Sequence, residues 1–165
     1  MILNHKQVIE YVFAKPKDFT QLTLHKIEGL HRLLVEGLDV EFGIRNHKAG
    51  ITSTNYHPLD NTYQIKEALE KLVDLLNSTS NPIEKAMISV LMLSYIQPFD
   101  DGNKRTARIV GNALLLASNY CPLSYRSISE DEYKKAMLLF YEQNSAYCFK
   151  QIFIDQFSFA VDKYF

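Results

Sequence analysis

The side chains of this sequence that could do chemistry are concentrated in one stretch, Gln97-Pro98-Phe99-Asp100-Asp101-Gly102-Asn103-Lys104-Arg105-Thr106-Ala107-Arg108. Pro98 and Gly102 mark a loop, and the residues from Asn103 onward read as the start of a helix. The first N–H groups of a helix have no partner inside it, and together with the helix dipole they form a site for an anion. Gly102 lets the main chain turn tightly and approach a ligand closely. Arg105 and Arg108 lie three apart on one helical face, and two guanidinium groups beside a helix start suit a di- or triphosphate. Asp101 would then be an oxygen ligand for Mg²⁺, which normally takes one or two carboxylates plus phosphate oxygens. The same residues also suit a plain helix-initiating turn with solvated charges, since Asp-Gly is a common turn pair and Asp or Asn near a helix start is ordinary capping. Two other motifs fail: a P-loop needs a glycine four residues ahead of Gly-Lys-Ser/Thr, and an EF-hand with its glycine at Gly102 would need an aspartate where Gln97 stands.

Positioning these groups takes a scaffold, and the periodicity predicts one made mostly of helices. Leu24, Ile27, Leu30, Leu34 and Leu38 recur at helical spacing after an N-cap at Thr23. Ile65, Leu69, Leu72, Val73 and Leu76 share a face of a second helix, opened by Asn61 and Gln64. A third begins at Asn81-Pro82-Ile83-Glu84, with proline at the first helical position, and continues through Ala86, Met87, Val90, Leu91 and Leu93. The fourth starts near Asn103 and is apolar nearly all round from Ile109 to Ala117, apart from Gly111 and Asn112, so it belongs in the middle of the fold. Ser129 and Glu132 form a capping box for a fifth that runs toward Tyr141, and Phe149, Ile152, Phe153, Phe157, Ala160, Val161 and Tyr164 line a last one. A short helix is expected around Val8, Ile9, Tyr11 and Val12. From Gly43 to Tyr56 the pattern changes: Ile44, Ile51, Thr52, Thr54 and Tyr56, with a turn at Lys48-Ala49-Gly50 and a stop at Pro58, predict a small β-hairpin.

Composition narrows the class. At 165 residues, with 47% apolar and 22% charged side chains, the chain reads as one globular domain able to bury a core without disulfides or metals. A net charge of −1 argues against a broad nucleic-acid-binding surface while leaving room for a local basic pocket. Two cysteines, Cys121 and Cys148, indicate no disulfide framework and suggest a reducing compartment. No apolar run is long enough for a membrane span, and no apolar stretch after a basic start suggests a secretory signal, so a cytoplasmic location is expected, with delivery into another cell as an effector the alternative.

The central stretch resembles the signature of the Fic (Fido) family, with Phe99, Asp101, Gly102, Asn103, Lys104, Arg105 and Arg108 matching in register. A helix like Leu24 to Leu38, then a hairpin ending in Thr52-Ser53-Thr54-Asn55-Tyr56, then two helices before the signature, is similar to that family's core over roughly residues 20–160. The resemblance implies a single Fic domain over 1–165: a mainly α bundle of about six helices with one small β-hairpin, the flap. It implies transfer of AMP from ATP to a hydroxyl of a target protein, with release of pyrophosphate and with Mg²⁺; a few relatives transfer UMP, phosphate or phosphocholine. Asp101 would hold the metal, while Gly102, Asn103 and Lys104 form the phosphate nest, with the Asn103 side chain as a further contact. Arg105 would grip the β/γ region and Arg108 the terminal phosphate; Phe99 would hold the loop in place and Tyr133 would line the base pocket. The flap residues Ile51, Thr52, Ser53, Thr54, Asn55 and Tyr56 would receive the target segment as an added strand.

One position departs from the family pattern. Where the family has the histidine that deprotonates the acceptor hydroxyl, this chain has Gln97, and a primary amide has no useful basicity near neutral pH. The implied enzyme is therefore a protein adenylyltransferase with impaired turnover, and the alternative is a catalytically inactive nucleotide-binding pseudoenzyme or a regulatory or toxin-like module of the same fold. His47 and His57 are expected to be solvated loop residues, and His25 and His31, six apart in the first clear helix, have poor metal-ligand spacing. The family's self-inhibition pattern is absent around Glu28-Gly29, so restraint falls to a separate inhibitory protein or to Gln97 itself. The remaining partners implied are a nucleotide and a target protein, with neither nucleic acid nor membrane.

Overall fold

The computed structural model describes residues 2–164 as helices α1 (Ile2–Ala14), α2 (Leu24–Val35), α3 (Thr62–Ser78), α4 (Pro82–Ile96), α5 (Asn103–Ala117), α6 (Glu130–Gln143) and α7 (Tyr147–Tyr164), with a 3-10 turn at Pro16–Phe19. The N-terminal segment expected to give a short helix forms all of α1, with Val8 and Val12 buried. Among the described residues no helix is long and apolar enough to cross a membrane.

Local capping sets most of the boundaries. Asn61 Oδ1 accepts from the N–H groups of Tyr63 and Gln64 at 2.9 and 3.3 Å, and Asn81 Oδ1 does the same for Ile83 and Glu84 at 2.9 and 3.3 Å. Thr23 caps α2, and Ser129 with Glu132 closes a full capping box on α6. α2 stops at Val35, before the expected Leu38, because Gly37 turns the chain with φ +71°.

α5 is the central helix, packed against α1, α2, α4 and the 3-10 turn. Thr106, Ala107, Ile109, Val110, Ala113, Leu114 and Leu115 are all buried. At Gly111 α4 lies against the α5 main chain: a Cβ there would sit 2.7 Å from Val90 Cγ2 and 3.3 Å from the Ala86 carbonyl oxygen.

The expected hairpin does not form. Residues 43–56 contain no strand, and the whole connection from α2 to α3 is irregular. A single side chain replaces the missing ladder. Arg45, 2% exposed, donates from Nε to the Gln97 carbonyl at 2.6 Å, and its terminal nitrogens donate to the carbonyls of His47 and Leu59. The Arg45 N–H donates to the Pro98 carbonyl at 2.9 Å, and its own carbonyl accepts from Thr62 Oγ1 at 3.1 Å. Alternating apolar residues predict a strand only where a neighbouring strand supplies partners; here the partners are a guanidinium and the loop before α5.

Candidate functional site

The loop between α4 and α5 is built by turning its carbonyl groups inward. Gln97 ends α4 in the left-handed region, φ 51°, and its carbonyl goes to Arg45. The Pro98 carbonyl goes to the Arg45 N–H. The Phe99 carbonyl takes Asn103 Nδ2 at 2.8 Å, while Asn103 Oδ1 accepts from the Phe99 N–H, also at 2.8 Å. The Asp101 carbonyl takes a hydrogen bond from His31 Nε2 at 2.9 Å. Each of these oxygens would repel an anion if it pointed outward, so donors from three separate parts of the chain, side chains and one main-chain N–H, remove that repulsion.

Phe99 anchors the loop. Its ring is 1% exposed and stacks on His31 at a centroid distance of 3.8 Å and an angle of 7°. His31 is fully buried, and burial holds its pKa below the usual histidine value even though the Asp101 carbonyl and the nearby carboxylates of Asp101 and Asp100 pull the other way. The imidazole is therefore neutral with its proton on Nε2, and Nδ1 is buried without a partner.

Gly102, the residue before α5, sits at φ +80° and packs against Leu34, Val35 and His31 of α2. No side chain caps α5, unlike α2, α3, α4 and α6. Asn103, the natural candidate, is turned back onto Phe99. That corrects the expectation of its side chain as a phosphate contact: among the groups at the helix start, its main-chain N–H is what remains for a ligand.

Cationic groups gather beside this helix end. Arg105 and Arg108 line one cavity of about 820 Å³ together with His5 from α1. They are thus brought together, as their spacing predicts. Arg105 lies 3.8 Å from Asp101 Oδ2, whereas Asp101 Oδ1 accepts from the Gly102 N–H at 2.6 Å. Burial lowers the pKa of His5, and the charges of Arg108 and Arg105 lower it further. Burial also lowers the pKa of Lys104, helped by Lys134 and Arg108. Most of the remaining wall is apolar, with Ile9, Val12, Phe13, Ile109 and Leu116, and Asn112 and Ser124 add polar groups.

Tyr133 stands beside Arg108, its ring centroid 5.5 Å from the guanidinium carbon, and its hydroxyl is buried without a partner. It does not line the 820 Å³ cavity, whereas Tyr125 does. The segment expected to dock a target lies along the outside. Ile51 and Thr54 are half-buried, Thr52, Ser53 and Asn55 are exposed, and Tyr56 is fixed by stacking on Tyr95 and by donating to the Tyr95 carbonyl at 3.0 Å. His57 is exposed, as expected, but His47 pairs with Asp100 at 3.0 Å.

Sequence reasoning missed the residues that hold the loop: Arg45, His31 and the inward role of Asn103. One signal was present for His31, a polar residue within the stripe Ile27, Leu30 and Leu34. For Arg45 there was none, because its partners are main-chain carbonyls, which carry no residue-type signal, and two of the three lie 14 and 52 residues away.

Comparisons with known proteins bear on this geometry. The model of the Fic/DOC family matches residues 21–115. A Caenorhabditis elegans protein, protein adenylyltransferase fic-1, is 32% identical over 112 residues, 65% of this chain and 22% of that protein, so the chain spans about a fifth of this curated relative's length. A solved structure of C. elegans Fic-1 superposes with a TM-score of 0.77 at 22% identity, covering 95% of this chain and 49% of that one. Bartonella tribocorum BepC with bound AMPPNP gives 0.67 at 15% identity, covering 93% and 85%. IbpAFic2 in complex with adenylylated Cdc42 gives 0.70 at 19% identity, covering 93% and 54%. At these identities the structures show the shared fold.

Proposed function

Because the chain belongs to the Fic/DOC family, we propose that it is a Fic domain that binds ATP at the start of α5 and transfers AMP to a hydroxyl of a target protein, at a rate limited by Gln97. The observation that carries this reading is the inward-turned loop: the carbonyls of Gln97, Pro98, Phe99 and Asp101 are all claimed from the protein side, and the first N–H groups of α5 are left uncapped beside Arg105 and Arg108. Such an arrangement is organised before the anion arrives.

In this reading the N–H groups of Asn103 and Lys104 hold the phosphate chain where Gly102 lets the main chain approach. Arg105 grips the β/γ region, leaving its longer-range contact with Asp101, and Arg108 neutralises the terminal phosphate. The Asp101 carboxylate is 53% exposed and keeps one oxygen free of short hydrogen bonds, which fits a Mg²⁺ ion that takes its other ligands from phosphate and water. Bound there, the ion would neutralise phosphate charge. Among the described residues no cluster of acidic, histidine or cysteine side chains would hold a metal unaided. The hydroxyl oxygen of the target bonds to the α-phosphorus, the bond to the β-phosphate bridging oxygen breaks, and pyrophosphate leaves. The hydroxyl proton goes to solvent, because the Gln97 amide cannot take it. The target segment docks along 51–56, where the main chain of Ile51 to Thr54 makes no hydrogen bond among the described residues and can pair with an added strand, while the N–H groups of Asn55 and Tyr56 are held by Glu142 and Thr54.

A second reading, a binding-only module, has one observation in its favour: Gln97 Nε2 donates to the Ser94 carbonyl at 2.6 Å, so the amide is tied to its own helix and turned from the site.

Paired assays separate the readings. Calorimetry with ATP and transfer from α-labelled ATP are run on the wild type, Gln97→His and Arg108→Ala. The expected result is ATP binding by both wild type and Gln97→His, with transfer raised roughly 10²- to 10⁴-fold by the histidine, and weakened but measurable ATP binding in Arg108→Ala. ATP binding without any transfer by the wild type, with transfer gained only in Gln97→His, supports the second reading. Absence of ATP binding in both wild type and Gln97→His sinks both.

A further inference from the structure

Arg108 is held in an unusual way. Among the described residues its guanidinium has no carboxylate partner, and its one hydrogen bond is a long one, 3.4 Å from Nε to the Lys104 carbonyl. Its guanidinium carbon lies 5.8 Å from the Tyr125 ring centroid and 5.5 Å from that of Tyr133, both within cation–π range. The two rings meet edge to face at 5.5 Å and 86°, so they form a corner around the charge.

Both walls of that corner are built deliberately. Tyr133 is backed by Phe149, again edge to face at 5.8 Å and 77°. Tyr125 takes φ 53°, a left-handed conformation that is costly for a bulky residue and that persists only where the surroundings impose it. The main chain just before it is held by Asn112, one helical turn after Arg108 on the same face of α5. Its Nδ2 donates to the Leu123 carbonyl at 3.0 Å, and its Oδ1 accepts from the Leu123 N–H at 2.8 Å. The polar interruption of an otherwise apolar helix thus pins the main chain two residues before the strained tyrosine. Burial raises the pKa of both phenols, Tyr133 to about 12, and Arg108 opposes the shift, so the rings stay neutral and keep their electron-rich faces.

We propose that Tyr125 and Tyr133 are positioning residues that hold the Arg108 guanidinium between their rings with its terminal N–H groups free, and so set the preference for a nucleotide carrying a terminal phosphate in reach of Arg108. This rests on the nucleotide reading above. A carboxylate partner in the same place would compete with the incoming phosphate; aromatic faces hold the cation without occupying its donors.

Two measurements test it. NMR of the arginine Nε–H groups, with Arg108 assigned by its disappearance in Arg108→Lys, needs no ligand. The rings should displace the Arg108 signal from the other arginines, Tyr125→Leu or Tyr133→Leu should remove that displacement, and Tyr125→Phe should retain it. An Arg108 signal unchanged in both leucine variants overturns the proposal. Titration with ATP, ADP and AMP reads the consequence. Tyr125→Leu should weaken ATP about 3- to 10-fold, leave AMP unchanged and have no further effect in an Arg108→Ala background. Equal weakening of ATP and AMP, or full additivity with Arg108→Ala, also overturns it. A wild type that binds none of the three nucleotides sinks the nucleotide reading and the preference with it, while the NMR comparison still decides whether the rings hold the arginine.

Discussion

Two irregular segments meet beside α5, and they are built in opposite ways. The loop 97–102 is buried over Gln97, Pro98, Phe99 and Gly102, and four of its carbonyls are bonded from the protein side. The connection 36–61 is mostly exposed, and its one buried polar anchor is Arg45, with Tyr56, Pro58, the His47–Asp100 pair and the packing of Leu38, Val40, Ile44 and Ile51 on the core as lesser supports. On the proposed reading the difference suits an anion site on one side, which gains from being rigid before the ligand arrives, and a docking surface on the other, which gains from main-chain groups still open to a partner. Arg45 belongs to both: the same guanidinium holds Gln97 on one side and His47 and Leu59 on the other.

Breaking that shared point should have the largest effect. Arg45→Ala leaves three carbonyls without their charged donor and is expected to lower unfolding stability by about 3 kcal/mol in urea titration. The amide signals of residues 46–60 should collapse toward unfolded values while those of α5 hold. If 46–60 keeps its dispersion, the segment does not depend on Arg45 and the contrast fails.

Asn103→Ala should come next, at about 2 kcal/mol, because it strips both the N–H and the carbonyl of Phe99 of their partner. Asn103→Asp, which keeps only the acceptor, should recover part of the loss in the same titration.

The third expectation concerns pH. Burial keeps His31 neutral in the fold, so below its ordinary value of about 6.5 the unfolded chain binds the proton more readily than the folded one. Stability should therefore fall as pH drops from about 7 through 6.5 toward the depressed folded value, and level off below that. Thermal melts across this range should show a slope that flattens in His31→Gln; an unchanged slope would assign the dependence elsewhere.

Ser53→Gly should matter least. Ser53 is exposed with φ 69°, so glycine relieves a strained conformation, and the expected change in a urea titration lies within about 0.5 kcal/mol. A loss well above that would show that the outer segment is more rigid than its contacts imply.

Much of the scaffold was legible because its signals are local. Thr23, Asn61, Asn81 and Ser129 cap helices within a few residues of themselves, and the periodic leucines of α2 and α3 point to one face. Arg105 and Arg108 were placed together by the geometry of a single helix. The hairpin failed for the complementary reason: the alternation in 43–56 is compatible with a strand, but the partner that decides the matter is remote in the chain. Asn103 failed at closer range, since an asparagine at a helix start can point outward to a ligand or back to the preceding loop, and only the position of Phe99 chooses between them.

Residue spacing by itself determined the helices, the central place of α5, and the gathering of an unpaired helix start with two guanidinium groups, because hydrogen bonds and faces within one helix depend only on neighbours along the chain. Tertiary structure alone decided which way the loop's carbonyls face, where Asn103 points, that the 43–56 segment is strung from a guanidinium rather than paired as strands, and that Arg108 rests between two tyrosines. Those outcomes depend on groups up to seventy residues apart, as His31 and Asp101 are, and no local preference encodes which distant donor will reach a given oxygen.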